Sequence, residues 1–572
     1  MQMQDFVVRF AGEGGQGVVT SAEGLAQAAT QVGYHALTYA TFPSQILGGP
    51  TWTQARISTS PVLSAGDEVD VLVAFNQDAY DEHAPDVRDD GVIIYNSDEF
   101  QLDQGDSRTF GVHVDELARS TGNNRAANMV VIGTLAHLVN MPQEHLNEFV
   151  EKRFTRGRAE DAEIIKSNIE AMILGRAEAA SSGFSLGDLA PPQMPDYKQI
   201  MVKGNDALSL GALTGGLNFY AGYPISPATT ILLYMDRNLV GPGKFAYQVS
   251  SEIESITTIL GAGFSGRKAM TATAGPGFSL MGEGLGLGWM AEIPLVVVDV
   301  QRGGPATGLP TKTEQSDLLS CMFPAHGDVR LPVIAVGTIE ECFYGAIKAL
   351  NWAERYQGPV ILMTEMSLAE RVQNIAKPDL SKVVVENRNT YQGTNGYNRY
   401  TGFELSPMPI PGNMGAYVAN GSEHDEMGDT THQASRHIQM TERRFSKLKL
   451  LEEDEYERDN EKCSIVMMPW GGTKGPGQEA YNQLRQQGVD LGWYYTMLLN
   501  PLPPKLLEEL KKKDLVIVPE LNYQGQFSMI LRSMGVKAES ITQYTGQPFK
   551  VRDLVRRITE MTQSHQKEMV RA

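Results

Sequence analysis

The stretch QVSSEIESITTILGAGFSGRKAMTATAGPGFSLM (248–281), followed by IPLVVVDVQRGGPATGLPTKTEQS (293–316), decides the fold. A helix carrying Glu252 near its start leads into a small-residue strand, KAMTATAG, that breaks at Gly275-Pro276-Gly277 into another helix. The next strand, PLVVVDV, is apolar almost throughout and ends beside Arg302. Short apolar runs separated by helical stretches are the pattern of buried parallel strands in an α/β sheet. Ligands in such sheets bind beyond the carboxyl ends of the strands, where glycine lets backbone approach a flat molecule closely. Arg302 stands at such an end, and its guanidinium either holds a carboxylate through two parallel hydrogen bonds, which lysine cannot, or forms a surface salt bridge.

Working outward, GYPISPATT (222–230) lies about twenty-five residues upstream, and its prolines and hydroxyls predict a rigid loop opening a helix. Residues 5 to about 185 read as a separate α/β unit. DFVVRFAG is a strand, GEGGQGVVTSAEGLAQAATQVG a glycine turn and helix, and HALTYAT, VDVLVAFN and GVIIYN are further strands in a mostly parallel sheet. SSGFSLGDLAPPQMPDY (181–197) reads as a linker. The boundaries this implies are 1–185 for the first domain, 186–200 for the linker, 201–375 for the second domain, 376–457 for an extended connector closing in a charged amphipathic helix, and 458–572 for a third α/β domain.

With 572 residues the chain exceeds one ordinary core, and its 42% hydrophobic and 20% charged content is that of a globular protein. No apolar run approaches the ~20 residues that span a bilayer, and MQMQDFVVRF lacks the basic and apolar regions of a signal peptide, so a cytoplasmic protein with no membrane contact is expected. A net charge of −19 argues against nucleic-acid binding. Cys321, Cys342 and Cys463 have no CxxC spacing and hold neither zinc nor an iron–sulfur cluster unaided.

The remaining motifs each carry two readings. Gly12, Gly14 and Gly17 lie between a strand and a helix, but the following strand offers no acid for a ribose, which disfavours a nicotinamide cofactor. They are either a phosphate contact at a helix N-terminus or a structural turn. Ile253, Ile256, Ile259 and Leu260 are expected to form an apolar stripe that puts Glu252 near the start of a partly buried helix, either as a reactive carboxyl or as an acid that only faces the helix dipole, with Glu254 solvated. GSEHDEMG (421–428) offers His424, Asp425 and Glu426, but adjacent residues on an extended chain point in alternate directions, so a loop role is favoured over a metal site. ELNYQGQ (520–526) reads as a strand end and helix start, functional only where it meets a neighbouring domain.

Together GEGGQGV with a following GGP, YPISPAT, SSEIESI, MTATAGPGFSLM, VDVQRGGPATGLPTKTEQSDL, GSEHDEMG and ELNYQGQ resemble the 2-oxoacid:ferredoxin oxidoreductases, most closely the fused gamma–alpha subunit of the 2-oxoglutarate type. The resemblance implies a multidomain α/β chain: a gamma-type domain, a doubly wound domain binding the pyrimidine of thiamine diphosphate, and a C-terminal transketolase-C-like domain. It implies a beta subunit that supplies the Mg²⁺ and diphosphate site and a [4Fe–4S] cluster, coenzyme A as a substrate, ferredoxin as electron acceptor and a dimer of heterodimers. It also implies CoA-dependent oxidative decarboxylation of a 2-oxoacid, with 2-oxoglutarate favoured over pyruvate or branched 2-oxoacids and over a noncatalytic scaffold role. This chain has no GDG motif for the diphosphate metal, which fits half of an active site.

By the same resemblance Glu252, nine residues before Gly261, activates the cofactor. Tyr223, Pro224 and Ile225 line the pyrimidine, and Arg302 meets the substrate carboxylate. Ser226 replaces a threonine of the usual YPITP motif and keeps its hydroxyl, Thr311 and Lys312 are further substrate-side residues, and the Gly12 loop meets a coenzyme A phosphate.

Overall fold

The computed structural model describes residues 2–43, 49–102, 106–394 and 396–571, so Gly48 of the GGP motif lies outside the described residues. The chain forms two compact units, one of residues 1–202 with 371–377 and one of 203–370 with 378–572.

The first unit is built on an eight-stranded sheet in the order Thr109–Val112, Val87–Asn96, Val69–Ala74, Asp5–Glu13, Pro50–Ser58, His35–Thr41, Val372–Ala376, Gln199–Lys203. Its first four strands are parallel to one another, as the strand–helix alternation predicts. The sheet is nevertheless mixed, because Pro50–Ser58 inserts antiparallel between Asp5–Glu13 and His35–Thr41. That strand alternates polar and apolar residues, PTWTQARIS, and is too short of apolar character to announce itself as a buried one. The linker segment is laid onto this unit: Leu186 and Ala190 donate backbone hydrogen bonds to Leu138 and Met3, and the Tyr34 hydroxyl to Ala190.

Two helices of this unit, Ala127–Leu138 and Asp161–Ser182, meet backbone to backbone. A Cβ at Gly133 would fall 2.0 Å from the Met172 carbonyl oxygen, and one at Gly175 the same distance from that of Val130. Neither carbonyl can move without breaking its helix, so Gly133→Ala is expected to destabilise this unit by about 3 kcal/mol, visible by calorimetry as earlier melting of one transition with the other unchanged.

The second unit holds two sheets. The larger has the order Leu498–Asn500, Val333–Ala335, Pro359–Glu365, Leu295–Gln301, Ala269–Thr273, Phe219–Gly222, Phe245–Gln248. All neighbours are parallel except Leu498–Asn500, which the C-terminal segment lends to the edge. The smaller sheet runs Glu457–Asp459, Gly492–Tyr495, Ile465–Met467, Leu515–Glu520, Ala538–Thr542, parallel apart from its first strand. Residues 376–457 are mostly irregular and close in the helix Ala434–Ser446. That helix turns Arg436, Arg443 and Arg444 inward beside Met440, so its buried face is cationic as much as apolar. No described helix is long and apolar enough to cross a membrane.

Candidate active site

Four strands of the larger sheet end side by side, and each delivers one of the motifs. In spatial order Gln301 is followed by Arg302, Thr273 by the AGPG turn, Gly222 by the YPISP loop, and Gln248 by the helix of Glu252. The register pairs Thr273 with Asp299 and Gly222 with Gln248, so these ends form one continuous edge.

The helix Glu252–Phe264 starts at Ser251, whose Oγ accepts the Glu254 N–H at 3.1 Å. Glu254 turns back to accept from the backbone N–H and the hydroxyl of Ser250 at 2.7 and 2.6 Å, which holds its carboxyl below the usual range. Capping therefore falls to Ser251 and Glu254 and leaves Glu252 free of it. Glu252 is 7% exposed. A Cβ at Gly277 would fall 2.5 Å from Glu252 Oε1 and 2.2 Å from Thr273 Oγ1. Only glycine lets the AGPG turn lie this close to the carboxyl. Ile256, Ile259 and Leu260 are buried as expected, whereas Ile253 is 56% exposed and leaves the stripe. It faces a cleft of about 620 Å³ along the outer side of the helix, lined also by Leu280, Leu287, Trp289 and Met290; neither Glu252 nor Arg302 lines that cleft.

The YPISP loop is held from behind. Asn205 donates to the Pro227 carbonyl at 3.0 Å and to the Thr230 hydroxyl at 2.7 Å, and the Ser226–Pro227 peptide is cis. Tyr223 and Ser226 are exposed, and Pro224 and Ile225 are partly so. Arg302, 7% exposed, donates from Nη1 to the Ser226 carbonyl at 2.7 Å, so it meets this residue through backbone and not through the hydroxyl. Its Nη2 reaches the Thr307 carbonyl at 3.5 Å, and its Nε is buried with no hydrogen-bond partner.

Thr311 and Lys312 are half-buried in the loop after Arg302. Lys312 closes that loop by accepting from Gly303 N–H at 3.0 Å and donating its own to Leu309 at 3.1 Å. The following residues dock onto ELNYQGQ: Gln315 and Leu521 exchange bonds at 2.7 and 3.0 Å, and Gln526 donates to the Ser316 carbonyl at 2.7 Å and accepts from Leu319 N–H at 3.0 Å. ELNYQGQ thus meets the loop that follows Arg302.

Two acids near Arg302 escaped the sequence reading. Asp299 is fully buried on the apolar strand and accepts from the Cys321 thiol at 3.5 Å; burial and the nearby Asp317 keep its carboxyl well above the usual range. Asp317 is pushed up to about 6 by burial and by Glu314, against the pull of Arg302. An aspartate inside VVVDV was the available signal. GSEHDEMG is fastened as a loop, with Glu423 bonded to Arg444 at 2.8 Å and Glu426 to Arg436 at 2.7 Å.

In the first unit Gly12 abuts Phe75 and Gln16, and Gly17, with φ 84°, caps the helix Val18–Gln31 in a left-handed conformation closed to a side chain by Asn128. Gly14 faces open space. A cavity of about 250 Å³ beside Gly12 is lined by Glu13, Asp78 and Glu82, a sign of charge that repels phosphate on that side of the loop.

Residues 7–178 match the family model described as pyruvate ferredoxin/flavodoxin oxidoreductase, and residues 210–443 that of pyruvate flavodoxin/ferredoxin oxidoreductase, thiamine diphosphate-binding. The 2-oxoglutarate oxidoreductase subunit KorA of Mycobacterium tuberculosis is 30% identical over 96% of this chain and 90% of its own. Subunit alpha of 2-oxoacid:ferredoxin oxidoreductase 2 from Aeropyrum pernix is 30% identical over 98% of each chain. The solved 2-oxoglutarate:ferredoxin oxidoreductase of Magnetococcus marinus, with 2-oxoglutarate, coenzyme A and succinyl-CoA bound, superimposes with a TM-score of 0.91 at 35% identity, covering 98% of this chain and 100% of that one.

Proposed function

The chain belongs to the 2-oxoacid:ferredoxin oxidoreductases, and from that premise we propose that it is the gamma–alpha subunit of an enzyme converting 2-oxoglutarate and coenzyme A to succinyl-CoA and CO₂, with two electrons passed singly to ferredoxin. The observation that carries this reading is the shared sheet edge, with the buried Glu252 carboxyl laid against Gly277 and Arg302 buried with an unpartnered Nε. Relatives named for 2-oxoglutarate support the substrate.

The donor set fits thiamine diphosphate, whose aminopyrimidine would meet the buried Glu252 carboxyl that the absent side chain of Gly277 lets pack against the AGPG turn. When bound, that cofactor would supply a stabilised carbanion equivalent for cleaving the bond between the ketone carbon and the C1 carboxylate. Glu252 holds or accepts a proton at its carboxyl against the aminopyrimidine, in a site whose burial strengthens the hydrogen bond. Tyr223, Pro224 and Ile225 border the ring, Arg302 takes the C1 carboxylate, and Ser226, Thr311 and Lys312 border the rest of the substrate. The beta subunit provides the Mg²⁺–diphosphate site and the [4Fe–4S] cluster. Gly12, Gly14 and Gly17 contact coenzyme A from the open side at Gly14. The gamma-type module is assigned to 1–185, the pyrimidine module to 201–375 and the C-terminal module to 458–572, in a cytoplasmic dimer of heterodimers.

Co-purification with the beta subunit, followed by coenzyme-A-dependent viologen reduction, tests this. The complex is expected to prefer 2-oxoglutarate over pyruvate and branched 2-oxoacids, and the isolated chain to be inactive. Substrate-dependent reduction by this chain alone sinks the split site; a preference for pyruvate sinks the substrate assignment.

A further inference from the structure

Arg302 carries a buried Nε with no hydrogen-bond partner, and nearby Asp317 carries a buried Oδ2 with none. The Asp317 carboxyl packs onto the cofactor-side turn: a Cβ at Gly275 would fall 2.7 Å from its Oδ2 and 2.8 Å from its Oδ1, two residues from the glycine that touches Glu252. Its backbone N–H is held by Gln301 Oε1 at 3.2 Å, next to Arg302 in the chain. A buried guanidinium and a half-buried carboxylate thus interact through charge without forming an ion pair, each with a buried atom that has no partner.

We propose that Asp317 is a positioning residue for Arg302, whose carboxylate competes with the substrate's carboxylate for the guanidinium and so sets how tightly the 2-oxoacid is held. This rests on the reading that Arg302 receives the substrate carboxylate. The other groups facing Asp317 are Glu314, which accepts the Gly304 N–H, Asp299 on the strand beneath and Cys321 on the helix that follows, while Glu252 packs on the other glycine of the AGPG turn. Burial and Asp317 hold the Asp299 carboxyl well above its usual range, and burial with Glu314 pushes Asp317 up to about 6. Above that pH Asp317 is negative, screens Arg302 and repels an anionic ligand; below it Asp317 is neutral and Arg302 binds at full strength.

The test is titration calorimetry of glutarate, which has the carboxylates without the reacting ketone, on the assembled complex from about pH 5.5 to 8, with KM and kcat for 2-oxoglutarate alongside. Glutarate's own ionisation is common to all variants and cancels in the comparison. In the parent complex affinity is expected to weaken about tenfold as pH rises through the Asp317 midpoint, with KM moving more than kcat. Asp317→Asn is expected to bind tightly across the range with no midpoint. Glu314→Gln, which removes a repelling carboxylate, is expected to move the midpoint to lower pH. A parent-like midpoint in Asp317→Asn overturns the proposal, and should that variant fail to assemble, an unmoved midpoint in Glu314→Gln does so instead. Arg302→Lys separates the premise: unchanged glutarate affinity there means that Arg302 is not the carboxylate site, whatever Asp317 does.

Discussion

Glu252→Gln is expected to lower 2-oxoacid-dependent viologen reduction by the assembled complex about 10³-fold or more, the scale of losing a positioned acid–base group. Assembly and thermal stability should stay close to the parent. The local structure makes this separation of effects sharp. The bonds that start the helix belong to Ser251, Glu254 and Ser250, none of which uses the Glu252 side chain. An amide of the same shape fits the space beside Gly277 that the carboxyl fills, so no cavity opens. What it loses is the ability to carry a proton or a charge at that point. Glu254→Gln is the matched control: it weakens an exposed cap and should leave turnover within about twofold, since exposed capping bonds contribute only tenths to about 1 kcal/mol. Parent-like turnover in Glu252→Gln, with the partner subunit bound, would remove Glu252 from the mechanism.

How much of this site could be read in advance follows from how local its causes are. The strand ends carrying Arg302, AGPG, YPISP and Glu252 are set by short apolar runs and glycine breaks, features visible within a window of ten residues, and the structure places them on one edge. Pro50–Ser58 was missed because an antiparallel insertion between two strands depends on partners at 5–13 and 35–41, not on its own pattern. Val372–Ala376 joins the first sheet for the same reason, pairing with a strand more than three hundred residues earlier. Helical period alone puts Ile253 in the buried stripe, but period says nothing about whether a neighbour covers that turn, and Ile253 is exposed. Asp299 and Asp317 stood in plain view as acids beside an apolar strand. Asp299 is near Arg302 by sequence alone, whereas Asp317 is brought back toward it when the loop after Arg302 docks on ELNYQGQ.

Glu292→Gln should be the most destabilising conservative change in the second unit, by about 3–5 kcal/mol, the usual cost of removing one partner from a buried ion cluster. Glu292 is fully buried between Arg443 at 2.8 Å, Lys447 at 3.2 Å and Arg399 at 3.9 Å, all of them buried. Burial alone would push its carboxyl up, but Lys447, Arg443 and Arg399 together hold it far below the usual range. The cluster ties the connector to the cofactor domain, because Arg399 and Arg443 come from residues 376–457 while Glu292 precedes the strand Leu295–Gln301 that leads to Arg302. Glu292 also sits at φ 54°, a left-handed conformation costing about 1–2 kcal/mol for a side chain with Cβ. Glutamine keeps that term unchanged, so the loss reports the charge. The pH dependence follows from Lys447, which burial, with Arg399 and Arg443 adding repulsion, pulls down to about 7 against the attraction of Glu292. A lysine depressed in the fold leaves the unfolded chain binding more protons, so stability from this group rises with pH from about 7 toward the ordinary lysine range and is lowest below 7. Without Glu292 the Lys447 value drops further and the window opens at lower pH. The deficit of Glu292→Gln should therefore be larger near pH 6 than near pH 8, while Glu292 itself, ionised throughout that interval, adds no slope. Differential scanning calorimetry at both pH values reads this as a midpoint lowered by about 5–10 °C in the second unit's transition, more at the acid value. A deficit that is equal at the two pH values would mean that Lys447 does not titrate against this cluster, and a shift under one degree would mean that the cluster is electrostatically neutral to the fold.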